Sequence, residues 1–303
     1  MSSVTCKTPV VRFYGTLSVL VLCCAAPGME ALAQSQSVPV KKPAPPAEAA
    51  KSPPPAEAAP PVLINPDRPG IADGSTVIGP RRFQIEAGYQ NEFRKDAGST
   101  ERRIFVPTLL RFGIDTRWEA RIEGNGYTFT RTTAPGADTT HTDGLSPFSL
   151  GFKYHFQDQT AVGKRASLGT IFRLFPAMGS SSFKANHTTG DLRLVADWDF
   201  TPNFSLNPNI GFGVYEDGQG NTFSTAIIAA TLNYFNRART FNPFVDFGFQ
   251  GPEERYGKSS LILDAGVAYI VGRTVQIDLS VGTGVLGRTA PHPFISFGLS
   301  KMF

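Results

Sequence analysis

The sequence predicts an all-β protein: a transmembrane, up-and-down antiparallel β-barrel of about 12 strands, preceded by a disordered segment rich in Pro and Ala. Three observations indicate this fold. Apolar and polar residues alternate from residue 83 to the last residue, long and short connections alternate between the predicted strands, and the chain begins with a signal-peptide pattern. Because no run of about 18 consecutive apolar residues occurs, the sequence excludes a membrane protein that spans with helices.

The first 33 residues have the pattern of a secretory signal peptide. A basic start precedes an apolar stretch over 16–27, and the small residues Ala31 and Ala33 lie just before the predicted cleavage site. The alternative is a lipoprotein acylated at Cys23 or Cys24, where a bulkier residue stands at the position that prefers a small one. No Cys follows residue 33, so we expect neither disulfides nor thiol chemistry in the mature protein.

Residues 34–62 form a Pro/Ala-rich segment that contains PPAEAA twice, at 45–50 and 54–59. Proline fixes the backbone angle and lacks an N–H group, so we expect an extended, solvated periplasmic linker. A plain spacer is the favoured interpretation, and contact with the periplasm or the cell wall is the alternative. Residues 63–82 follow as an irregular segment, for which one alternative is a plug in the lumen.

Residues 83–303 show the alternation of a strand that meets a different environment on each face. The clearest case is 148–156, FSLGFKYHF, where aromatic and aliphatic residues alternate with Ser, Gly, Lys and His. A soluble sandwich would also alternate, but its sheet edges would need protection. The predicted strands are 83–93, 103–112, 118–129, 148–156, 166–174, 192–200, 204–214, 226–234, 241–249, 261–269, 275–281 and 293–303.

The connections favour a membrane barrel over a sandwich. The links after odd-numbered strands are long, such as 131–145 and 177–189, and we expect them to be flexible extracellular loops. The links after even-numbered strands are short, such as 201–203 and 271–273. Outer-membrane barrels have long extracellular loops, short periplasmic turns and an even number of strands. The sequence therefore predicts the Gram-negative outer membrane, with both termini in the periplasm.

Four short motifs connect the chain with a known family: Asp67-Arg68-Pro69, TLLRFG (108–113), FSLGFKYHF (148–156) and DLRLVADWDF (191–200). On these motifs, and across about 65–303, the chain resembles a bacterial family of outer-membrane transporters of the phenol meta-cleavage degradation pathway. That resemblance implies a barrel that admits small, often aromatic, compounds. The last strand, ISFGLSKMF, looks like the assembly signal that ends in an aromatic residue, here Phe303, although Lys301 departs from it.

The polar faces of the strands predict a lumen with two unlike walls. We expect their transverse field to orient dipolar or anionic solutes and to exclude apolar ones. In the alternative, acidic residues on the basic half pair with its bases and fill the interior. The predicted basic wall is Arg111, Arg121, Lys153, Arg173 and Arg193, the predicted acidic wall is Asp246, Asp264 and Asp278, and the acids for the alternative are Glu119, Glu123, Asp191, Asp197 and Asp199.

The predicted function is an outer-membrane channel or transporter for small solutes, including aromatic or anionic compounds. The first alternative is a non-conducting structural or binding barrel tethered to the periplasm, and the second is a lipid-acting enzyme. We expect no enzyme, cofactor or metal, because the four histidines lack the spacing and context of such sites. The expected partners are outer-membrane lipid, the barrel-assembly machinery and a small solute. Nucleic acid is not expected, since the bases are dispersed.

Overall fold

The computed structural model of the protein describes residues 63–96, 98–287 and 290–303. The predicted signal peptide (1–33) and Pro/Ala-rich linker (34–62) lie outside the described residues. No helix within the described ranges is long and apolar enough to cross a bilayer.

Fifteen strands are present in the described part of the chain, and all belong to one antiparallel sheet. They are β1 (Phe83–Asp96), β2 (Ser99–Phe105), β3 (Thr108–Gly113), β4 (Trp118–Gly124), β5 (Tyr127–Thr133), β6 (Thr140–Leu145), β7 (Phe148–Gln157), β8 (Ser167–Phe175), β9 (Thr189–Asp199), β10 (Phe204–Glu216), β11 (Thr222–Tyr234), β12 (Phe241–Gly251), β13 (Ser260–Val271), β14 (Val275–Leu286) and β15 (Phe294–Met302).

Twelve of these strands close into a barrel. The order is β1–β3–β4–β7, then β8 to β15 in sequence, and β15 pairs back with β1 from Gln84↔Met302 to Glu92↔Phe294. Closure gives every strand two neighbours, so the sheet presents no free edge to lipid in that ring. The predicted fold, an antiparallel barrel of twelve strands, is confirmed.

Two of the predicted strands, 103–112 and 118–129, are interrupted, at Pro107 and Gly126. The wall continues past these interruptions as β2 and β5, and β6, which ends just before Pro147, joins them in the order β1–β2–β5–β6. Pro107 and Pro147 have no N–H to donate, and Gly126 has a φ of 56°, a left-handed conformation that favours glycine. The prediction of a loop over 131–145 was therefore wrong at both ends: β5 continues to Thr133, and β6 begins at Thr140.

The outer face of the barrel is apolar. Phe152, Leu194 and Ile210 are 49%, 55% and 59% exposed, respectively, and point away from the lumen. At the rim with the short turns, aromatic rings make contact: the Phe83 and Phe112 centroids lie 4.8 Å apart, and those of Trp118 and Tyr154 lie 4.6 Å apart. An apolar band bounded by aromatic rings matches a bilayer and its interface.

The inner face has the opposite character. Gln84, Glu86, Glu119 and Lys153 are fully buried inside the barrel, each at 0% relative exposure. The most buried part of the protein is thus polar and charged, and every charge there requires a partner within the lumen.

We predict that Phe152→Arg destabilises the barrel in phospholipid vesicles by about 2–4 kcal/mol, because it places a charge in the hydrocarbon band. The measurement is the free energy of unfolding in denaturant. Val162→Arg is the matched control, since Val162 is similarly exposed (48%) but lies in the short connection after β7. An equal loss in both variants would contradict a lipid-facing Phe152.

Candidate functional site: the lumen and its plug

A segment from the start of the described chain occupies the barrel lumen. We call residues 63–82 the plug segment. Its first residues lie at the short-turn rim, where the Ile64 N–H donates to the Arg273 carbonyl at 2.8 Å. Its last residues return to the same rim, where the Arg81 N–H donates to the Gly113 carbonyl at 3.0 Å. The plug segment is therefore a loop that enters and leaves through one end of the barrel.

Side chains of the barrel wall accept hydrogen bonds from the backbone N–H groups of the plug segment. An irregular segment has no strand to pair with, so its N–H groups must find other acceptors. They find carboxylate and amide oxygens on five different strands, which fixes the segment to both halves of the barrel. The bonds are Arg68 to Glu86 (2.9 Å), Ile71 to Asp246 (2.8 Å), Asp73 to Asn209 (2.8 Å), Ser75 to Asp197 (2.8 Å) and Ile78 to Glu119 (3.0 Å).

Asp67 of the plug segment contacts three bases of the predicted basic wall. Its Oδ2 lies 2.5 Å from Arg121 Nη1, 2.9 Å from Lys153 Nζ and 3.7 Å from Arg111 Nη1. Burial raises the pKa of the Asp67 carboxyl, but the charges of Arg111, Lys153 and Arg121 outweigh burial and hold that pKa well below its ordinary value. Asp67 is therefore an ionised counter-ion at the centre of the lumen.

Asp73 of the plug segment is the counter-ion of the two remaining bases, Arg173 and Arg193, and it also contacts Arg121. Its carboxylate lies 3.0 Å from Arg121, 3.5 Å from Arg193 and 3.9 Å from Arg173. Burial raises the pKa of Asp73, and the surrounding arginines more than offset it, so the pKa is lowered. All five predicted bases thus line one side of the lumen and contact the plug segment's carboxylates.

Acids on the strands complete the charge balance of that side. Glu119 pairs with Arg111 at 2.7 Å, and both Glu123 and Asp191 pair with Arg173, at 2.9 and 3.1 Å. Asp197 and Asp199 have other partners: Asp197 accepts from Ser75, and Asp199 pairs with Arg239.

The predicted acidic wall lies on the other side of the lumen. Asp246 and Asp264 are direct cross-strand partners on β12 and β13. The plug segment supplies Arg68, whose Nη2 lies 3.1 Å from Asp278 Oδ1 and 3.1 Å from Ser296 Oγ. One oxygen of each of the three aspartates has no hydrogen-bond partner among the described residues. Of the three aspartates, Asp278 alone forms an ion pair in the described part of the chain, with Arg68, so the acidic wall is less completely compensated in charge than the basic wall.

Two glycines make room for Arg68. Gly88 and Gly298 are paired across β1 and β15, and both face the lumen. A Cβ built on Gly88 would lie 2.7 Å from Arg68 Nη2, and one built on Gly298 would overlap the same guanidinium and Asp278. Any larger residue at these two positions would displace the guanidinium from the slot between the strands.

The plug segment divides the lumen into two cavities. The cavity toward the short-turn rim has a volume of about 470 Å³ and includes Asp199, Asn233 and Arg239 in its lining. The cavity toward the other rim has about 670 Å³ and includes Glu92, Arg94 and Asp264. Asp67, Arg68, Pro69 and Gly70 line both cavities, so these four residues belong to the partition that the plug segment forms between them.

The histidines do not form a catalytic arrangement with a serine hydroxyl in the described bonds. His155 Nδ1 lies 3.1 Å from the Ser75 carbonyl oxygen, and its Nε2 lies 2.9 Å from Asp158. His187 contacts Glu216, with Nδ1 3.0 Å from the carboxylate. Within the described ranges, no group of three His, Cys, Asp or Glu side chains is placed to hold a metal ion.

Sequence reasoning missed the roles of Asp67, Arg68 and Asp73. A signal was present: DRPGIADG places opposite charges in an aperiodic stretch with helix- and strand-breaking residues. Periodicity assigns no face to such a stretch, so the pattern cannot show which wall each charge meets.

Comparison with known proteins agrees with this architecture. Residues 66–296 match the family described as "Putative MetA-pathway of phenol degradation", which covers the plug segment from Pro66 and nearly the whole barrel. The chain belongs to this phenol-degradation family. The family resemblance predicted from the sequence is thereby confirmed. Among curated protein sequences, none matches the chain.

Solved structures share the fold of this family member. The COG4313 outer membrane channel from Pseudomonas putida F1 superposes with a TM-score of 0.60 at 11% identity, covering 79% of this chain and 100% of that one. The β domain of the Bordetella autotransporter BrkA gives 0.51 at 14% identity, covering 73% and 99%. At such low identities the likeness establishes the outer-membrane β-barrel fold.

For this phenol-degradation family protein, we predict that Gly298→Ala loosens the plug segment by displacing Arg68. Amide hydrogen exchange at Ile71, Asp73 and Ser75 should become about tenfold faster, which corresponds to about 1.4 kcal/mol less opening free energy. Gly218→Ala is the control, because a Cβ there meets no atom within 4 Å. Unchanged exchange in Gly298→Ala would contradict the role given to the glycine slot.

Proposed function

We propose that the protein is an outer-membrane channel for small solutes, held closed by the plug segment. One observation carries this proposal: the lumen holds a cavity at each end, and the plug segment, including Asp67, Arg68, Pro69 and Gly70, lies between the two. A barrel with a purely structural role needs no such cavities. A short partition of irregular chain can move without breaking any bond between strands of the ring.

Withdrawal of the plug segment toward the short-turn rim would join the two cavities. Because Ile64 and Arg81 both contact that rim, the loop can leave without threading past the wall. The cost is the loss of the ion pairs of Asp67 and Asp73, together with exposure of the five bases they face. Any solute that offers an equivalent anion reduces that cost, because it replaces the lost charge.

The solute class follows from the contacts of Asp67. Its carboxylate contacts Arg121, Lys153 and Arg111, so these bases form a preformed site for a carboxylate group. A small aromatic or aliphatic carboxylate that competes with Asp67 would bind in the open channel. The basic wall (Arg111, Arg121, Lys153, Arg173 and Arg193) and the acidic wall (Asp246, Asp264 and Asp278) would orient it.

The barrel orientation belongs to the same proposal. The short connections, including 272–274 between β13 and β14, face the periplasm, and the longer connections face the exterior. In this proposed orientation, the entrance of the plug segment and both chain termini are on the periplasmic side. The C-terminal strand with Phe303 is the segment offered to the barrel-assembly machinery, and the Pro/Ala-rich linker is the candidate for contact with the periplasm or the cell wall.

We predict that Asp67→Asn/Asp73→Asn raises the open-state population, and with it the mean conductance in planar bilayers, by about tenfold. Removal of two carboxylates leaves the bases less compensated, so the chloride-to-potassium permeability ratio should also rise. Benzoate should restore block in this variant by occupying the vacated site.

The control is Asp115→Asn/Asp217→Asn, which changes the same charge in connections outside the lumen. Heat-modifiable migration in gels verifies that each barrel is folded. If the plug variant misfolds, Arg68→Gln tests the same partition from the acidic side. A folded variant of either kind that stays as closed as the wild type would favour the non-conducting barrel.

We predict that an epitope tag inserted at 135–137, between β5 and β6, is detected by antibody on intact cells. A tag at 237–238, between β11 and β12, should become accessible only after the outer membrane is permeabilised. The reverse pattern would contradict the proposed orientation.

A further inference from the structure

Three basic residues form a row on the outer face of the wall, across the neighbouring strands β2, β5 and β6. Arg102, Arg131 and His141 lie on β2, β5 and β6 in direct register, as the pairs Arg102↔Arg131 and Arg131↔His141. We call these three residues the rim row. All three are exposed. Lys95, also exposed, lies nearby on β1, two residues beyond the Phe93 that pairs with Arg102.

The rim row faces outward and not into the lumen. Residues paired across antiparallel strands point to the same side of the sheet. The inward side at this level is occupied by Glu92, which pairs with Arg94. The rim row alternates with those inward positions, so it lies on the same face as the apolar band.

The height of the rim row matches a membrane interface. Phe83 pairs with Phe112 in the aromatic girdle at the short-turn rim, and Phe93 pairs with Arg102 ten residues further along β1. Ten residues in a tilted strand rise by about 25 Å, which is the height of the apolar band of an outer-membrane barrel. The rim row therefore lies at the opposite interface from the girdle.

The charges of the rim row are poorly compensated within the protein. Arg102 and Arg131 are like charges directly opposite each other, an arrangement that destabilises a sheet unless an anion lies between them. Arg102 donates to Asn91 at 3.0 Å and lies over the Phe93 ring, and Arg131 has no ion pair among the described residues. The nearby Asp143 already accepts a hydrogen bond from Tyr127.

Outward-facing bases at this interface are confined to one sector of the wall. On β8 to β14, the described strands carry only two bases, Arg173 and Arg193, and both point into the lumen. Below the rim row, Phe129 and Tyr127 are 53% and 42% exposed on the apolar face. The sector thus combines cations at the interface with aromatic rings directly beneath them.

We propose that the rim row binds the phosphate groups of the glycolipid in the outer leaflet, with its acyl chains packed on Phe129 and Tyr127. Paired guanidinium groups hold phosphate through charge-assisted, bidentate hydrogen bonds. A lipid headgroup fits better than a free anion, because the row is continuous with the lipid-facing surface. The site goes beyond channel function and rests only on the proposed orientation, which the tagged variants test separately.

The experiment titrates the full, folded protein in detergent with bisphosphorylated lipid A and follows the bound lipid by native mass spectrometry. Arg102→Gln/Arg131→Gln should weaken binding by about tenfold or more, and wild-type protein should bind dephosphorylated lipid A about as weakly. Arg117→Gln/Arg237→Gln is the matched control, since both residues are exposed arginines at the opposite rim. Its binding should stay within about twofold of the wild type.

Equal lipid A binding by Arg102→Gln/Arg131→Gln and the wild type would overturn the proposal. Equal binding of the dephosphorylated lipid, an equal loss in the control variant, or complete displacement by millimolar inorganic phosphate would also overturn it. If the double variant fails to fold, Arg131→Gln alone tests the site. Retention of binding in Arg102→Lys/Arg131→Lys, which keeps the charge, would support the phosphate contact.

Discussion

The hydrogen bonds that close β1 against β15 impose the rest of this architecture. Lipid offers no partner to a backbone N–H or carbonyl, so a sheet can span the bilayer only when its edges pair with each other. Closure then turns alternate residues into a lumen, and the chain fills that lumen with charge. Each buried charge needs a partner inside the wall, because neither lipid nor bulk water is available there.

The plug segment meets that requirement on both walls at once. Asp67 and Asp73 face the bases of one half, whereas Arg68 and the Ile71 N–H face the carboxylates of the other. The charge order of the segment thus mirrors the transverse separation of charge across the lumen. Occlusion of the lumen and compensation of its walls are consequently one interaction, so a change that weakens the compensation also weakens the occlusion.

Much of the fold was predictable because its dominant signal is local. The period-two alternation of segments such as 148–156 requires no knowledge of distant residues, and the twelve-strand ring follows from it. The interruptions at Pro107, Gly126 and Pro147 were harder, because the strand pattern resumes immediately after each. The sequence predicts a loop where the β5–β6 hairpin lies, because Thr, Gly and Asp dominate that stretch and its pairing with β2 is a non-local interaction.

The candidate site was less predictable for a different physical reason. Alternation assigns Arg111 or Asp278 to the inner face, but it says nothing about an aperiodic segment whose conformation depends on the finished barrel. Gly88 and Gly298 are an example. Nothing in either local sequence indicates that the two glycines are neighbours, and they make room for a side chain only once β1 and β15 pair. The slot they form holds Arg68. The strand pair that closes the barrel therefore also positions the residue that helps to close its lumen.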